Sequence, residues 1–163
     1  MVTLRCTRKL LRRLAVNPPQ SDQRATSALG DWHANLLLWR PQLIHCMNDR
    51  STLSVLMPAR DSTSFPSRLG IALGQLLLEL GVPRKIVEAE VASMEQVTLA
   101  PTKNRSILGC MRDAELALRY AAESGRHSSI EGLQMHLTEH IHQPTGYRQP
   151  GELAFELLTT SAH

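Results

Sequence analysis

The stretch Asn35-Leu-Leu-Leu-Trp-Arg-Pro-Gln-Leu-Ile-His-Cys-Met-Asn-Asp-Arg-Ser-Thr-Leu-Ser-Val-Leu-Met57 decides the fold. Three apolar runs, Asn35–Trp39, Leu43–Met47 and Thr52–Met57, are separated by Arg40-Pro41 and by Asn48-Asp49-Arg50-Ser51. Runs of this length predict strands, and a four-residue polar connection predicts a tight turn, so the stretch reads as an antiparallel meander. Upstream, Val2-Thr3-Leu4-Arg5-Cys6 alternates as a strand does and adds to the sheet. Downstream, Gln96–Ala100 adds one more strand before Pro101.

Around these strands the pattern is helical. Thr7 can cap a helix of about two turns that turns Leu10, Leu11 and Leu14 inward and Lys9, Arg12 and Arg13 outward. Ser67–Leu80 is Leu-rich and closes at Gly81, and Pro83 sits where a first helical position belongs, opening Pro83–Met94. Asn104 caps a long helix to about Ser124, closed by Gly125, and Ser129–Ile141 and Pro150–Leu158 complete the set. The expected fold class is α+β, a small antiparallel sheet (a meander of three to five strands) covered by five or six helices. Residues 1–163 read as a single domain, with 17–27 as a mobile loop because Pro18-Pro19 and several Ser, Gln and Thr interrupt any periodicity.

Composition narrows the class. At 163 residues, 42% hydrophobic and 20% charged, the chain suits one buried core and excludes low-complexity disorder. The net charge of +3 is unevenly placed: up to Arg24 there are six basic residues against one acid, Asp22. Such a local field attracts phosphates or other anions. Cys6, Cys46 and Cys110 are widely spaced without a C-x-x-C pair, which excludes a zinc knuckle and reads as reduced, buried thiols. No apolar run reaches the length of a membrane span, and the start lacks a signal-peptide core, so the expected location is cytoplasmic with no membrane partner.

Candidate chemistry concentrates on three places. Ile107, Met111, Ala114, Leu118 and Ala121 mark the buried stripe of the long helix, while Arg105, Arg112 and Arg119 recur on the opposite side. Lys103, Asn104, Arg105 and Ser106 cluster at its start, where backbone N–H groups and the helix dipole favour an anion. With Arg5, Arg8, Lys9 and Arg12 from the first two elements, they form the expected anion-binding set, extended by Arg112. A solvated arginine face is the competing reading, because Glu115 and Glu123 flank Arg119 at four-residue spacing. Gly109 in this helix implies close approach of a neighbour or a ligand.

Gly30-Asp31-Trp32-His33-Ala34-Asn35 brings an imidazole and polar side chains to a strand start, so His33, Asp113 and Asn104 would be the catalytic machinery if the protein were an enzyme. Trp32 reads as core. His136 and His140 share one helix face, with His142 beyond them, but H-x-x-x-H lacks the glutamate of H-E-x-x-H. No metal centre and no cofactor are expected. Walker, zinc-finger and RNP-type signatures are missing, and two Trp, two Tyr and two Phe leave little for base stacking.

Four blocks, Arg5-Cys6-Thr7-Arg8-Lys9-Leu10-Leu11, Gly30-Asp31-Trp32-His33-Ala34-Asn35-Leu36, Gly81-Val82-Pro83 and Lys103-Asn104-Arg105-Ser106-Ile107-Leu108-Gly109-Cys110-Met111, occur in this order. As a set they resemble an uncharacterised family of small bacterial proteins, a domain of unknown function, from about Leu4 to Leu158. His140-Ile141-His142 departs from the family's Thr-Pro-Cys-like stretch there. The resemblance implies a free-standing bacterial domain and lends no activity. The preferred functional expectation is a binding or regulatory module that engages an anionic partner, phosphate or a nucleic-acid backbone. The alternative is a small enzyme acting on a polar small molecule, of a detoxification or antibiotic-resistance kind. A third reading makes Ser67–Leu80 a homodimer interface.

Overall fold

The structure, a computed structural model, describes residues 1–127 and 129–162. Thr7, in extended conformation, accepts from the Leu10 amide and starts helix α1 (Arg8–Leu14) directly after strand β1 (Val2–Cys6). Strand β2 (Trp32–Leu37), β3 (Leu43–Asn48) and β4 (Ser54–Pro58) form the expected meander. β2 begins three residues earlier than periodicity placed it: His33 and Asn35 break the apolar run, but both occupy the sheet face opposite Trp32 and Ala34, where Asn35 bonds to Thr7 and Glu115. Helices α2 (Phe65–Glu79) and α3 (Arg84–Ser93) lead to β5 (Val97–Pro101), followed by α4 (Arg105–Glu123), α5 (Ile130–Leu137) and α6 (Pro150–Ser161). Among the described residues no helix is long and apolar enough to cross a membrane.

The five-stranded sheet runs β4-β3-β2-β1-β5 and is mixed, which corrects the expectation of a purely antiparallel sheet. β2–β3 and β3–β4 are antiparallel, whereas β1 pairs in parallel with both β2 and β5. The reason lies in the connections. Helix α1 and the long segment after it separate β1 from β2, and such a crossover brings the chain back in the same direction rather than as a hairpin.

The period-2 alternation divides the side chains between two cores. Val2, Leu4 and Cys6 of β1, with Trp32, Ala34 and Leu36 of β2, pack on one face with Leu10, Leu11 and Leu14 of α1 and Leu69, Leu73 and Leu77 of α2. Leu37, Leu43, Met47 and Leu56 face the other side against Ile107, Met111, Ala114 and Leu118 of α4. Trp32 is fully buried, as its reading as core required. The leucine face of α2 also turns inward, leaving Ile71 and Leu78 outside.

One buried side chain ties the two ends of the β2–β3 hairpin to the rest. Asn48 donates from Nδ2 to the carbonyls of Leu29 and Asp31, at 2.8 and 3.1 Å, and its Oδ1 accepts from the Ser51 amide and hydroxyl. It is fully buried, so each lost partner would leave a polar group without water. The turn before it needs Gly30 at φ +82, where a Cβ would also meet the Arg50 side chain at 3.1 Å. Asn48→Asp keeps the shape but replaces the donor by a second acceptor. It is expected to destabilise the fold by about 3 kcal/mol or more, read as a lower urea midpoint at unchanged m-value; a change within about 0.5 kcal/mol would show the network to be dispensable.

Candidate functional site

The parallel pairing of β1 with β5 sets Cys6 opposite Pro101, and the Thr102 amide donates to the Cys6 carbonyl at 3.1 Å. Both strands therefore end at one edge of the sheet. From that edge α1 leaves onto one face and α4 onto the other. Adjacent parallel strands whose helices depart to opposite faces open a crevice outside their carboxyl ends, the place where open sheets bind ligands. Here the crevice is a groove of about 710 Å³, lined by Arg8, Leu11, Arg12, Asn17 and Thr102 among others. Arg8, Arg12 and Arg105 are exposed, and among the described residues none of them is ion-paired to a carboxylate.

The other side of α1 lines a second cleft, about 420 Å³, with Lys9 facing Arg112 and Arg119 of α4 across Trp39 and Leu116. Glu115, the one acid there, is already committed: it accepts from Asn35 Nδ2 at 2.9 Å and lies 3.3 Å from His45 Nδ1. Partial burial works to raise its pKa, but the His45 and Asn35 bonds and the nearby His45 and Lys9 charges hold it below the usual value. A carboxylate only accepts, so His45 Nδ1 carries the proton toward it, and Nε2 lies 2.9 Å from the Ser54 hydroxyl. Thr7 extends the same chain by donating to Asn35 Oδ1 at 2.8 Å. Five residues from five elements or their caps are thereby bonded in series. Sequence reading missed Glu115 and His45 in this role; the one available signal was a histidine interrupting the apolar run of β3.

The remaining members of the expected anion set divide. Lys103 is paired with Asp22. Asn104 is the N-cap of α4, and its Oδ1 takes the Ser106 and Ile107 amides at 3.0 and 3.3 Å, so those donors do not await an anion. Ser106 is exposed, with its amide used in this way. Arg5 is not at the surface at all: it is 6% exposed, donates to the Ser21 carbonyl at 2.9 Å and lies 3.4 Å from Asp31. Its alternating position in β1 points it to the sheet face opposite Leu4 and Cys6, where Ser21 and Asp31 hold it away from the cationic edge. A Cβ at Gly109 would meet nothing within 4 Å, so no neighbouring element requires the glycine there.

Among the described residues no hydrogen bond joins the residues named for catalysis to one another. His33 is buried, with Nδ1 lacking a hydrogen-bond partner among the described residues. Asn104 and Asp113 stand nine residues apart on α4, about 13 Å of helix rise. Asp113 instead meets His140 and His142, with His140 Nε2 2.9 Å and His142 Nδ1 3.6 Å from Asp113 Oδ2. The expected i, i+4 pairing of His136 with His140 does not form, because α5 stops at Leu137; His136 lies beside His127 instead, ring centroids 5.3 Å apart. All three cysteines are buried thiols, and burial pushes Cys6 up to about 12.

The fold and its edge thus define an α+β domain with a mixed sheet and a cationic crevice at the ends of two parallel strands. A family model described as "Domain of unknown function (DUF6933)" matches residues 3–153, and the chain belongs to that family. No curated protein and no solved structure matches it.

Burial, and after it the Arg5 charge, lowers the His33 pKa to about 4, from 6.5. The folded state therefore binds fewer protons than the unfolded chain between these values, so this stabilising contribution is full above 6.5 and falls as pH drops toward 4. Asp49 acts in the opposite sense: burial and Asp31 raise it to about 6, and its contribution is lost as pH rises through that value. His33→Gln removes only the first effect. The variant is expected to lose stability between pH 6.5 and 4.5 less steeply than the parent, by up to about 1.4 kcal/mol per pH unit in urea titrations. Parallel pH profiles would show that His33 titrates as it does in the unfolded chain.

Proposed function

We propose that this domain binds an anionic, phosphate-bearing partner at the carboxyl edge of β1 and β5. One observation carries the reading: the edge presents Arg8 and Arg12 in one groove and Lys9, Arg112 and Arg119 in the neighbouring cleft, while Glu115 is held by Asn35 and His45. Five cations around one short helix, with the local carboxylate already engaged, leave a positive field whose natural complement is an anion. Guanidinium groups suit phosphate because their planar fork donates two parallel hydrogen bonds.

The helix amides contribute less than the sequence implied, since Asn104 occupies two of them. Recognition on this reading is by side chains. Arg8 and Arg12 are one turn apart, about 6 Å along α1, a spacing that suits two oxygens of one phosphate ester or successive phosphates of a chain. Trp39 and Leu116 offer a modest apolar floor in the second cleft only.

Fluorescence anisotropy with labelled single-stranded RNA and duplex DNA, and calorimetry with inorganic pyrophosphate, separate the two sources of phosphate. Arg8→Ala with Arg12→Ala is expected to weaken polyanion binding and to reduce the slope of log K against log salt by roughly 1.4 to 1.8, two phosphate contacts' worth. An unchanged slope, or no binding of any of these anions at low salt, would overturn the proposal.

A further inference from the structure

Asp113, His140 and His142 make no part of the cationic crevice, and they have the composition of a metal centre. Each offers one ligand atom, and the three atoms lie within 4.8 Å of one another. Asp113 projects from the middle of α4, whereas both histidines belong to the segment after α5. The arrangement therefore exists only in the folded chain.

His140 and Asp113 alone make an ordinary hydrogen bond, and it is the third donor, His142, that turns the contact into a three-ligand cluster. His142 Nδ1 stands 3.6 Å from Asp113 Oδ2, too far for a hydrogen bond. Among the described residues the His142 ring makes no hydrogen bond, although it is 5% exposed. Donors bound tetrahedrally at 2.0–2.1 Å stand about 3.3 Å apart along each edge of the tetrahedron. The two Asp113 separations, 2.9 and 3.6 Å, bracket that value. The two imidazoles meet edge to face, with centroids 5.0 Å apart, an approach close enough for both rings to serve one ion.

The backbone holds His142 in place. Its carbonyl accepts from the Thr145 amide at 3.3 Å, the Thr145 hydroxyl at 3.0 Å and the Tyr147 amide at 3.0 Å. Asp113 is exposed and His140 half-buried, which gives an ion a path in.

We propose that Asp113, His140 and His142 bind a divalent transition-metal ion, Zn²⁺ fitting best, with at least one coordination position left to water or substrate. Two imidazoles select against Ca²⁺ and Mg²⁺, which take oxygen donors. Two histidines and one carboxylate are the number of protein ligands that catalytic rather than structural sites use. The proposal does not depend on the anion reading, since its residues and its probe are different.

The test uses tag-free full-length protein titrated with Co²⁺ by visible absorption and with Zn²⁺ by calorimetry. One equivalent is expected, with low-symmetry Co²⁺ d–d bands. His140→Ala and His142→Ala should each weaken binding at least about tenfold, while His136→Ala leaves it unchanged. His140 is at the surface, so its variant tests the site even where His142→Ala disturbs packing. Binding that survives both substitutions, binding lost with His136→Ala, or no binding in the parent protein would overturn the assignment.

Discussion

Parallel pairing of β1 with a strand on each side is the constraint on which the rest of this molecule depends. Parallel pairing with β2 makes the β1–β2 connection, through α1, a crossover, while β5 reaches the other side of β1 only after β4, α2 and α3. The helices that follow the two strands β1 and β5, α1 and α4, then depart to different faces. That topology brings residues about a hundred positions apart in sequence, Cys6 to Arg12 and Pro101 to Arg105, to one edge. The hydrogen bond from Thr102 to Cys6 extends the pairing beyond the strands and sets the separation of the two helix starts. Without it the cationic residues would be two unrelated surface clusters. With it Arg8 and Arg12 line a groove that Pro101 and Thr102 close from the end of β5, which is why the charge asymmetry of the sequence acquires a location.

Helix α4 serves two purposes at right angles to each other. Its apolar stripe closes the second core against Leu37, Leu43, Met47 and Leu56. The flanks of the same stripe carry Glu115 toward β2 and β3, and Asp113 toward the segment after α5. A single turn of one helix thus supplies a carboxylate to an internal hydrogen-bonded chain and another to a pair of histidines. Because the helix is fixed by packing, neither carboxylate has to be ordered at the moment a ligand arrives.

The sequence made the elements legible and left the sheet's sense obscure. Alternation in Val2–Cys6 and the Asn48–Ser51 turn located strands, and Thr7 and Asn104 were readable as caps because capping chemistry is local. Parallel pairing of β1 is decided by the chain's return path, for which local pattern carries no signal. Arg5 shows the same limit within one residue: as a basic residue near the N-terminus it counted toward the surface field, yet strand alternation put it in the interior with Asp31. The histidine cluster was misread for a complementary reason. The i, i+4 rule holds only while a helix continues, and α5 ends before His140. Its true partner, Asp113, lies on another helix, and sequence spacing cannot express a contact between elements.

Both faces of the sheet hold an apolar core, but only one of them also buries a row of polar side chains. On one face, β1 and β2 contribute Val2, Leu4, Cys6, Trp32, Ala34 and Leu36, a layer without hydrogen-bonding demands beyond the indole nitrogen. The same strands turn Thr3, Arg5, His33 and Asn35 to the other face, and β3 adds His45. Each buried polar atom left without a partner costs roughly 1–3 kcal/mol, and Thr3 Oγ1, Arg5 Nη1 and His33 Nδ1 are three such atoms on that face. A sheet selected for stability alone would have filled these positions with valine or isoleucine. Retaining them is affordable because the opposite face, packed by three leucines of α1 and those of α2, supplies the driving force for folding. This polar row is then where a ligand would be recognised: Glu115 and His45 connect the cleft around Lys9, Arg112 and Arg119 to the sheet.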